Sequence, residues 1–269
     1  MRPNDWLGKI DLKDAYFVIP IWENHRKYLP FLWKDSLLEF ACLPLGLVVA
    51  PRVFTKIMKL VVALLRRTGI WLIVYLDDLL FMNSSKAGLQ RDMITAQYLL
   101  EHLGFVINLE KSCFQPTQQL EFLGFVVNAL DMTLLLPDCK VEAIKSRCSN
   151  LLLHYEVSVR KLSQLIGRLT ASIQAVFPAP LHYRHLQNLK HKASARLSHF
   201  NATIALSAEA KEELRWWLAH WNAWNGRALL RPPPDVIIET DANSTGWGAV
   251  FQGGHNEGLM LPDGAKTSS

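Results

Sequence analysis

Cysteine is scarce in this sequence, and its spacing does not suit a metal site. The 269 residues include four cysteines, with no CxxC motif and no histidine at zinc-finger distance from them. We therefore expect reduced thiols and no structural zinc, which is typical of an intracellular protein, cytoplasmic or nuclear. His182 and His185 lack a second pair of ligands nearby, so a polar helix surface is favoured over a metal site.

Long hydrophobic runs are also absent. The apolar stretch at 60–65 is followed by Arg66 and Arg67, and the amino end lacks the pattern of a signal peptide, so no membrane partner is expected. There is no internal repeat and no low-complexity tract. A composition of 50% apolar and 20% charged residues indicates a globular protein with a sizeable core.

Acidic residues do not dominate the charge balance. The chain has 29 lysines and arginines against 24 aspartates and glutamates, which gives a net charge of +5 and a pI near 9.0. The excess is localised, because residues 140–200 carry +8 and the rest of the chain −3. A localised positive charge favours a polyanionic partner such as nucleic acid. For any single residue of the segment, an ordinary solvated helix face is the alternative.

The hydrophobic pattern predicts an α+β fold in which helices cover one face of an antiparallel sheet. The expected order is strand, helix, hairpin, helix and strand, at residues 8–21, 51–69, 70–82, 89–105 and 120–127. The second of these helices is expected to turn one apolar side inward, formed by Ile94, Tyr98, Leu99 and Leu103.

Residues 138–225 are expected to be mainly helical. Ser158 precedes an amphipathic stretch that extends to Phe177, and Ser207 precedes an acidic first turn, so both serines are candidate N-caps. A strand, a turn and a second strand are predicted at 236–251, with Asp241 at the end of the first strand.

The stretch IWLIVYLDDLLFM, residues 70–82, places two adjacent aspartates between two apolar runs. This pattern predicts a tight hairpin with Asp77 and Asp78 at its tip. An ionised carboxylate removed from water is costly unless it is paired or bound to a metal, so a positive group is expected nearby. A third carboxylate, Asp11, lies between Ile10 and Leu12 in another predicted strand.

Three carboxylates held by rigid strands could share two divalent cations. Two metal ions about 4 Å apart can activate an attacking oxygen and stabilise a leaving one in phosphoryl transfer. Mg²⁺ prefers oxygen ligands such as those of aspartate. Alternatively, Asp77 and Asp78 form an ordinary polar turn and Asp11 a solvated strand end. The residues alone leave both interpretations open.

Five segments taken together resemble, in order and spacing, the successive palm motifs of retroelement reverse transcriptases. They are IDLKDAYFVIPI, LPLGLVVAPRVFTKIM, VYLDDLLFM, LGFVINLEKS and LEFLGF. Within that family the sequence is most similar to DIRS-like retrotransposons, and the resemblance covers about residues 5–252. It implies a polymerase palm fold and an RNA-directed DNA polymerase that works by two-metal nucleotidyl transfer.

The resemblance also implies catalytic roles for individual residues. Asp11, Asp77 and Asp78 would bind two Mg²⁺ ions, for which Mn²⁺ could substitute. Lys111 would protonate the departing pyrophosphate, although on its own it suits a surface lysine. The segment LEFLGF would grip the primer, and the basic helices would follow the phosphate backbone.

A nucleotide pocket follows from the same resemblance. Asp14 and Ala15 would line it through their backbone, and Gly46 would lie under the templating base pair. Tyr16 would exclude a ribose 2′-hydroxyl, whereas by itself it suits an ordinary core aromatic. The implied partners are an RNA or DNA template with a primer, and deoxynucleoside triphosphates.

The implied domains are a palm with partial fingers at 1–137, a helical thumb or connection at 138–230, and a truncated RNase H-like start at 235–269 with Asp241 as the remnant of a nuclease site. Ten residues precede Asp11 and 18 follow Phe251, so a polyprotein fragment with impaired polymerase activity and no RNase H activity is expected.

The sequence after Phe251 is rich in glycine and is expected to have little structure, including at Glu257 and Asp263. Two alternatives to a polymerase also remain. A non-catalytic relic would still bind nucleic acid, whereas a structural globular protein with a fortuitous YLDD sequence would bind neither nucleic acid nor metal. Nothing in the sequence indicates an oligomeric state.

Overall fold

The computed structural model describes residues 1–196, 201–230, 235–251 and 254–259. They divide into two units, one up to Leu229 and one from Leu230 onward. The strands of the first unit are β1 (Trp6–Lys13), β2 (Pro30–Trp33), β3 (Ser36–Glu39), β4 (Trp71–Tyr75), β5 (Asp78–Asn83), β6 (Val106–Ile107), β7 (Cys113–Thr117), β8 (Gln119–Phe122), β9 (Phe125–Asn128), β10 (Thr133–Leu135), β11 (Glu156–Ser158), β12 (Thr203–Ala205) and β13 (Arg227–Ala228). Its helices are α1 (Glu23–Arg26), α2 (Ala50–Arg67), α3 (Lys86–His102), α4 (Asp138–Leu152), α5 (Val159–Ala171), α6 (Arg184–Arg196), α7 (Ala208–Ala219) and α8 (Trp221–Trp224). The second unit contains β14 (Glu239–Ala242), β15 (Gly246–Phe251) and β16 (Gly254–Leu259).

The central sheet of the first unit has the strand order β4-β5-β1-β6, with β7 also paired to β1. All of these pairings are antiparallel. One face packs against α2 and α3 in a core that includes Ile10, Phe54 and Leu79. The opposite face packs against the β8–β9 hairpin through Leu7 and Leu80. The predicted α+β arrangement is confirmed, and a second sheet covers part of the face that the helices leave free.

Helix α2 follows its sequence pattern closely. Pro51 occupies the first turn, where its missing N–H breaks no helical hydrogen bond. Phe54, Met58 and Leu65 are buried, whereas the basic side chains of the helix lie outward. Gly69 follows the helix with φ +87, a left-handed conformation that favours glycine.

The inward side predicted for α3 is wrong. Ile94 and Tyr98 are 65% and 73% exposed, and the buried side is formed by Leu89, Met93, Ala96 and Leu100. Both sets have helical spacing, so contact with the sheet decides between them. The small side chain of Ala96 lets the helix approach β1 and β5 closely, whereas a tyrosine at that position would hold it away.

Residues 120–127 form a hairpin rather than the single predicted strand. Strands β8 and β9 pair through Phe122 and Phe125. Leu123 and Gly124 make the turn with φ +49 and +76, the left-handed values of a two-residue hairpin loop. The Nζ of Lys140 on α4 donates to the Gly124 carbonyl at 2.6 Å, which attaches the turn to the helical part of the unit.

Residues 138–225 are mainly helical, as predicted, but they also contain β11 and β12, which the pattern did not indicate. Ser158 and Ser207 are confirmed as caps, because each hydroxyl accepts a backbone N–H of the first turn. Helix α5 ends at Ala171, earlier than expected, since a 3₁₀ turn follows. No described helix has the length and apolar character needed to cross a bilayer.

His182 is half-buried against an indole ring in this helical part. Its ring lies on Trp216 with centroids 3.7 Å apart, and His220 also stacks on Trp216 at 5.2 Å. Burial lowers the pKa of His182; the charge of Glu213 opposes this shift and His220 adds to it. The folded chain therefore favours the neutral imidazole.

We expect the protein to lose stability as the pH falls through the ordinary histidine pKa of about 6.5. The unfolded chain accepts this proton more readily than folded His182 does, so protonation favours unfolding. In urea denaturation, His182→Gln should show a smaller fall in unfolding free energy than the parent between about pH 7.5 and 5.5. Substitution of the exposed His154 by glutamine should leave this fall in unfolding free energy the same as in the parent. An equal fall in His182→Gln and the parent would contradict this account.

The second unit is an antiparallel sheet with the strand order β14-β15-β16. The predicted strand, turn and strand correspond to β14 and β15. The expectation of little structure after Phe251 is wrong for residues 254–259, because they pair with β15 along its length and satisfy their backbone groups there. Asp263 lies outside the described residues.

Candidate active site

Asp11 and Asp78 lie directly opposite each other in the central sheet. Strands β1 and β5 pair in the register that aligns these two residues, so their side chains project from the same face. Asp11 is 8% exposed. The two carboxyl groups are close enough to interact, and Asp11 contributes to raising the pKa of Asp78.

Asp77 lies in the turn beside this pair. Strand β4 ends at Tyr75 and β5 begins at Asp78, which pairs with Tyr75, so the turn is Leu76–Asp77. The prediction that both aspartates form the tip is therefore wrong by one residue. Leu76 adopts φ +53, as hairpin turns require. The Asp77 carbonyl accepts the Leu12 amide at 3.0 Å, which attaches the turn to β1.

Lys9 is the positive group beside the aspartates. It precedes Asp11 by two residues on β1 and therefore shares its face of the sheet. Burial, the largest influence, raises the pKa of Asp78; Lys9 opposes this shift, and the charges of Asp11 and Asp77 add to it. Lys9 was not among the predicted site residues, although its spacing from Asp11 in a strand was the signal for it.

The donor set suits a divalent cation in charge and ligand type. Carboxylate oxygens are the ligands that Mg²⁺ prefers, and the negative charge at Asp11, Asp77 and Asp78 exceeds what Lys9 compensates. Throughout the described part of the chain, no three His, Cys, Asp or Glu side chains are grouped closely enough to hold a metal ion. The Asp11–Asp78 contact and the adjacent charge of Asp77 are the features that fit the ion.

Tyr16 lies close to Asp77. It belongs to a 3₁₀ helix, Ala15–Val18, that follows β1. Burial raises the pKa of Tyr16, and the nearby charges of Asp77 and Tyr75 raise it further. Its ring contacts Phe54 of α2 with centroids 4.9 Å apart. The structure therefore pairs Asp11 with Asp78 across the sheet. The charge of Asp77 acts on both Asp78 and Tyr16, and α2 packs against the tyrosine ring.

Three further residues of the predicted pocket are Asp14 and Ala15, at the start of the 3₁₀ helix, and Gly46, in the loop before α2. Asp14 has φ +50 and its carbonyl accepts the Phe17 amide at 2.9 Å, while Ala15 is buried. Gly46 has φ +88, and a Cβ added there would meet no atom within 4 Å. The backbone conformation, rather than crowding within the chain, favours glycine at this position.

Lys111 is exposed in a loop attached to Asp11. The loop comprises residues 108–112, between β6 and β7. The Lys111 amide faces the Asn108 Oδ1 at 3.4 Å, and the Asn108 amide donates to the Asp11 carbonyl at 2.8 Å. The candidate proton donor is therefore connected through the backbone to the strand that carries Asp11.

Asp241 lies in the second unit, where β14 pairs it with Gly248. On the other side of that glycine, β16 places Glu257, so the two carboxylates flank Gly248 on one face of the sheet. The Asp241 Oδ1 accepts the Ala242 amide at 2.9 Å. The position of Glu257 was not predicted, because little structure was expected where β16 forms.

The chain is similar to known reverse transcriptases and to retroelement polyproteins. The family model for reverse transcriptase (RNA-dependent DNA polymerase) matches residues 1–127. Polyprotein P3 of Commelina yellow mottle virus is 25% identical over 90% of this chain and 12% of its own length. The transposon Tf2-3 polyprotein of Schizosaccharomyces pombe is 22% identical over 95% of this chain and 18% of its own length. The chain thus spans less than a fifth of these curated relatives.

Solved structures of a foamy viral protease-reverse transcriptase match 97% of this chain. The complex with an RNA/DNA hybrid has a TM-score of 0.71 at 16% identity, with 34% of that chain covered. A complex with double-stranded DNA has a TM-score of 0.69 at 16% identity, with 52% covered. Residues 1–127 are therefore similar to a reverse transcriptase domain, and the chain has the fold of the foamy viral reverse transcriptase.

Proposed function

We propose that this chain is the polymerase part of a retrotransposon reverse transcriptase and extends a primer on an RNA or DNA template with deoxynucleoside triphosphates. The observation that carries the proposal is the register that places Asp11 opposite Asp78, with Asp77 in the adjoining turn. The match of residues 1–127 to the reverse transcriptase family supports it independently.

Asp11, Asp77 and Asp78 would hold Mg²⁺, and Mn²⁺ could take its place. When bound, the ions supply the charge that activates the primer 3′-hydroxyl and stabilises the leaving pyrophosphate. The protein itself would hold the three carboxylates near one another against their mutual repulsion. The β1–β5 pairing and the bond from the Leu12 amide to the Asp77 carbonyl would contribute to this through the backbone.

Tyr16 and Lys111 would act on the incoming nucleotide. Tyr16 is supported by Phe54 beside Asp77, where its ring can exclude a 2′-hydroxyl, and the backbone of Asp14 and Ala15 leads into the same region. Gly46 would leave room for the templating base pair. Lys111 would donate a proton to pyrophosphate as the bond to the α-phosphate breaks.

A basic groove between α4 and α5 would hold the phosphate backbone. Its lining includes Arg147, Asn150, Lys161 and Gln164. Arg147 donates to the Gln164 Oε1 at 3.4 Å, and among the described residues neither Arg147 nor Lys161 forms an ion pair. By contrast, Lys145 on α4 is paired with Glu142 at 2.8 Å.

Replacing Arg147 and Lys161 together with glutamine should weaken binding to a template-primer duplex. Each phosphate contact contributes about 0.9 to the slope of log K against log salt, so the slope should decrease by about 2. Fluorescence anisotropy between about 50 and 200 mM salt measures this slope. Lys145 is already paired with Glu142, so Lys145→Gln is the control and should change the slope little. A slope in the double variant equal to that of the parent would rule out this groove.

Primer extension by the purified chain tests the overall proposal. We expect Mg²⁺-dependent products on a primed RNA or DNA template. Salt-sensitive binding without extension, in Mg²⁺ or Mn²⁺, would instead identify a non-catalytic nucleic-acid-binding relic. Neither binding nor extension would favour a structural protein with a fortuitous YLDD sequence.

The proposal also covers the domains, the type of element and the compartment. Residues 1–137 would form the palm with partial fingers, residues 138–230 the thumb or connection, and residues from 235 the start of an RNase H-like domain with Asp241. The order and the amino-acid sequence of the five motifs support a DIRS-like element. The four free cysteines suit a reducing compartment inside the cell.

A further inference from the structure

Strand β1 changes its partner strand at Asp11, on the edge away from β5. Strand β6 pairs with Leu12 and Lys13, and β7 pairs with Lys9 and Leu7. Between these two short ladders, the chain leaves the sheet as the loop 108–112, with Lys111 near its end. The backbone of Asp11 therefore faces a loop on this edge rather than a regular strand.

The loop satisfies both backbone groups of Asp11. The Asn108 amide donates to the Asp11 carbonyl at 2.8 Å, and the Asp11 amide donates to the Ser112 Oγ at 3.0 Å. The Ser112 amide donates to the Asn108 carbonyl at 3.0 Å, which closes the loop on itself. One of the two attachments is thus a side chain, and it comes from the residue next to Lys111.

We propose that Ser112 is a positioning residue that fixes Lys111 relative to Asp11. Its hydroxyl replaces the strand partner that Asp11 lacks on the edge away from β5, so the loop can leave the sheet without leaving the Asp11 amide unsatisfied. This holds the lysine at a set distance from the carboxylates. The role of Lys111 rests on the proposed polymerase function, whereas the attachment of the loop to Asp11 does not.

The chain offers a matched set of variants. Ser112→Ala removes the acceptor, and Ser112→Thr keeps a hydroxyl at the same atom. Thr117 on β7 is the control, because its Oγ also bonds to backbone, at Gln119 of β8, away from the loop. Thr117→Val should therefore leave the loop unchanged, and thermal melting should confirm that all three variants fold.

Hydrogen exchange of the metal-free protein tests the attachment without activity. In Ser112→Ala, the amides of Asn108 and Ser112 should exchange about tenfold faster than in the parent. Ser112→Thr and Thr117→Val should exchange like the parent. Unchanged exchange in Ser112→Ala would overturn the proposal whatever the chain's activity.

Single-turnover primer extension tests the positioning of Lys111. Ser112→Ala should lower the maximal rate about tenfold with little change in the apparent nucleotide affinity, and Ser112→Thr should restore it. In a Lys111→Gln background, Ser112→Ala should have no further effect, because its action passes through the lysine. An equal loss in both backgrounds would show a merely structural role and overturn the inference alone. A parent that extends no primer would instead contradict the proposed function.

Discussion

Substituting Asp11 or Asp77 with asparagine should abolish primer extension. Each change keeps the shape of the side chain but removes a negative charge from the proposed metal site, and we expect the maximal rate to fall by about a thousandfold or more. The measurement is single-turnover extension of a labelled primer in Mg²⁺. The loss should be in rate rather than in primer-template affinity, because the proposed duplex contacts lie on α4 and α5.

Asp131 provides the matched control for this experiment. Its carboxylate accepts the Asn128 Nδ2 at 2.8 Å beside the turn between β9 and β10, so it has a structural partner outside the site. Asp131→Asn should extend the primer within about twofold of the parent rate. If Asp77→Asn extends as well as Asp131→Asn, the carboxylates do not perform the chemistry.

Shortening Tyr16 to alanine should let the chain incorporate ribonucleotides. The phenol ring lies beside Asp77 and is supported by Phe54, and removing it opens the space where a 2′-hydroxyl would lie. We expect the preference for deoxynucleotides over ribonucleotides, as a ratio of kcat/KM, to fall about a hundredfold. Paired extension assays with both nucleotide types give the ratio.

Two controls separate exclusion by the ring from other effects of the change. Tyr16→Phe keeps the ring and loses only the hydroxyl, so it should retain the preference. Tyr98→Ala removes an aromatic ring that is 73% exposed on α3 and should have no effect on selection. A preference that survives in Tyr16→Ala would show that another group excludes the ribose.

Local sequence patterns predicted the elements that depend on local contacts. The hydrophobic pattern predicted a helix at 51–69, where α2 lies, and Ser158 and Ser207 predicted the caps of α5 and α7. These features depend on hydrogen bonds and side-chain spacing within a few residues, which sequence displays directly.

The errors arose where tertiary contact decides between equally good local patterns. Helix α3 has two apolar sides of similar spacing, and the sheet selects the one with Ala96. Strand β16 is glycine-rich and forms because β15 offers it a partner. The position of Asp78 differs from prediction by one residue because Leu76 adopts a left-handed conformation that its residue type does not signal.

In the candidate site, too, some residues could be predicted from local sequence and others depend on tertiary contacts. Its carboxylates stand out because charge between apolar runs conflicts with burial, and such conflicts concentrate at functional sites. Lys9 acts on Asp78 through its charge, and Ser112 bonds to the Asp11 amide. Neither residue type is unusual at its position. Ser112 meets Asp11 only because β6 and β7 pair with β1 on either side of the loop, so no short-range pattern could identify it.

Binding of Mn²⁺, measured by electron paramagnetic resonance, tests the central claim most directly. With a primer-template ended by a dideoxynucleotide and the next deoxynucleoside triphosphate present, we predict two ions bound per parent chain. Asp11→Asn and Asp77→Asn should each lose at least one, and Asp131→Asn should match the parent. Equal Mn²⁺ binding by the parent and Asp11→Asn would contradict the assignment of these carboxylates as the metal ligands.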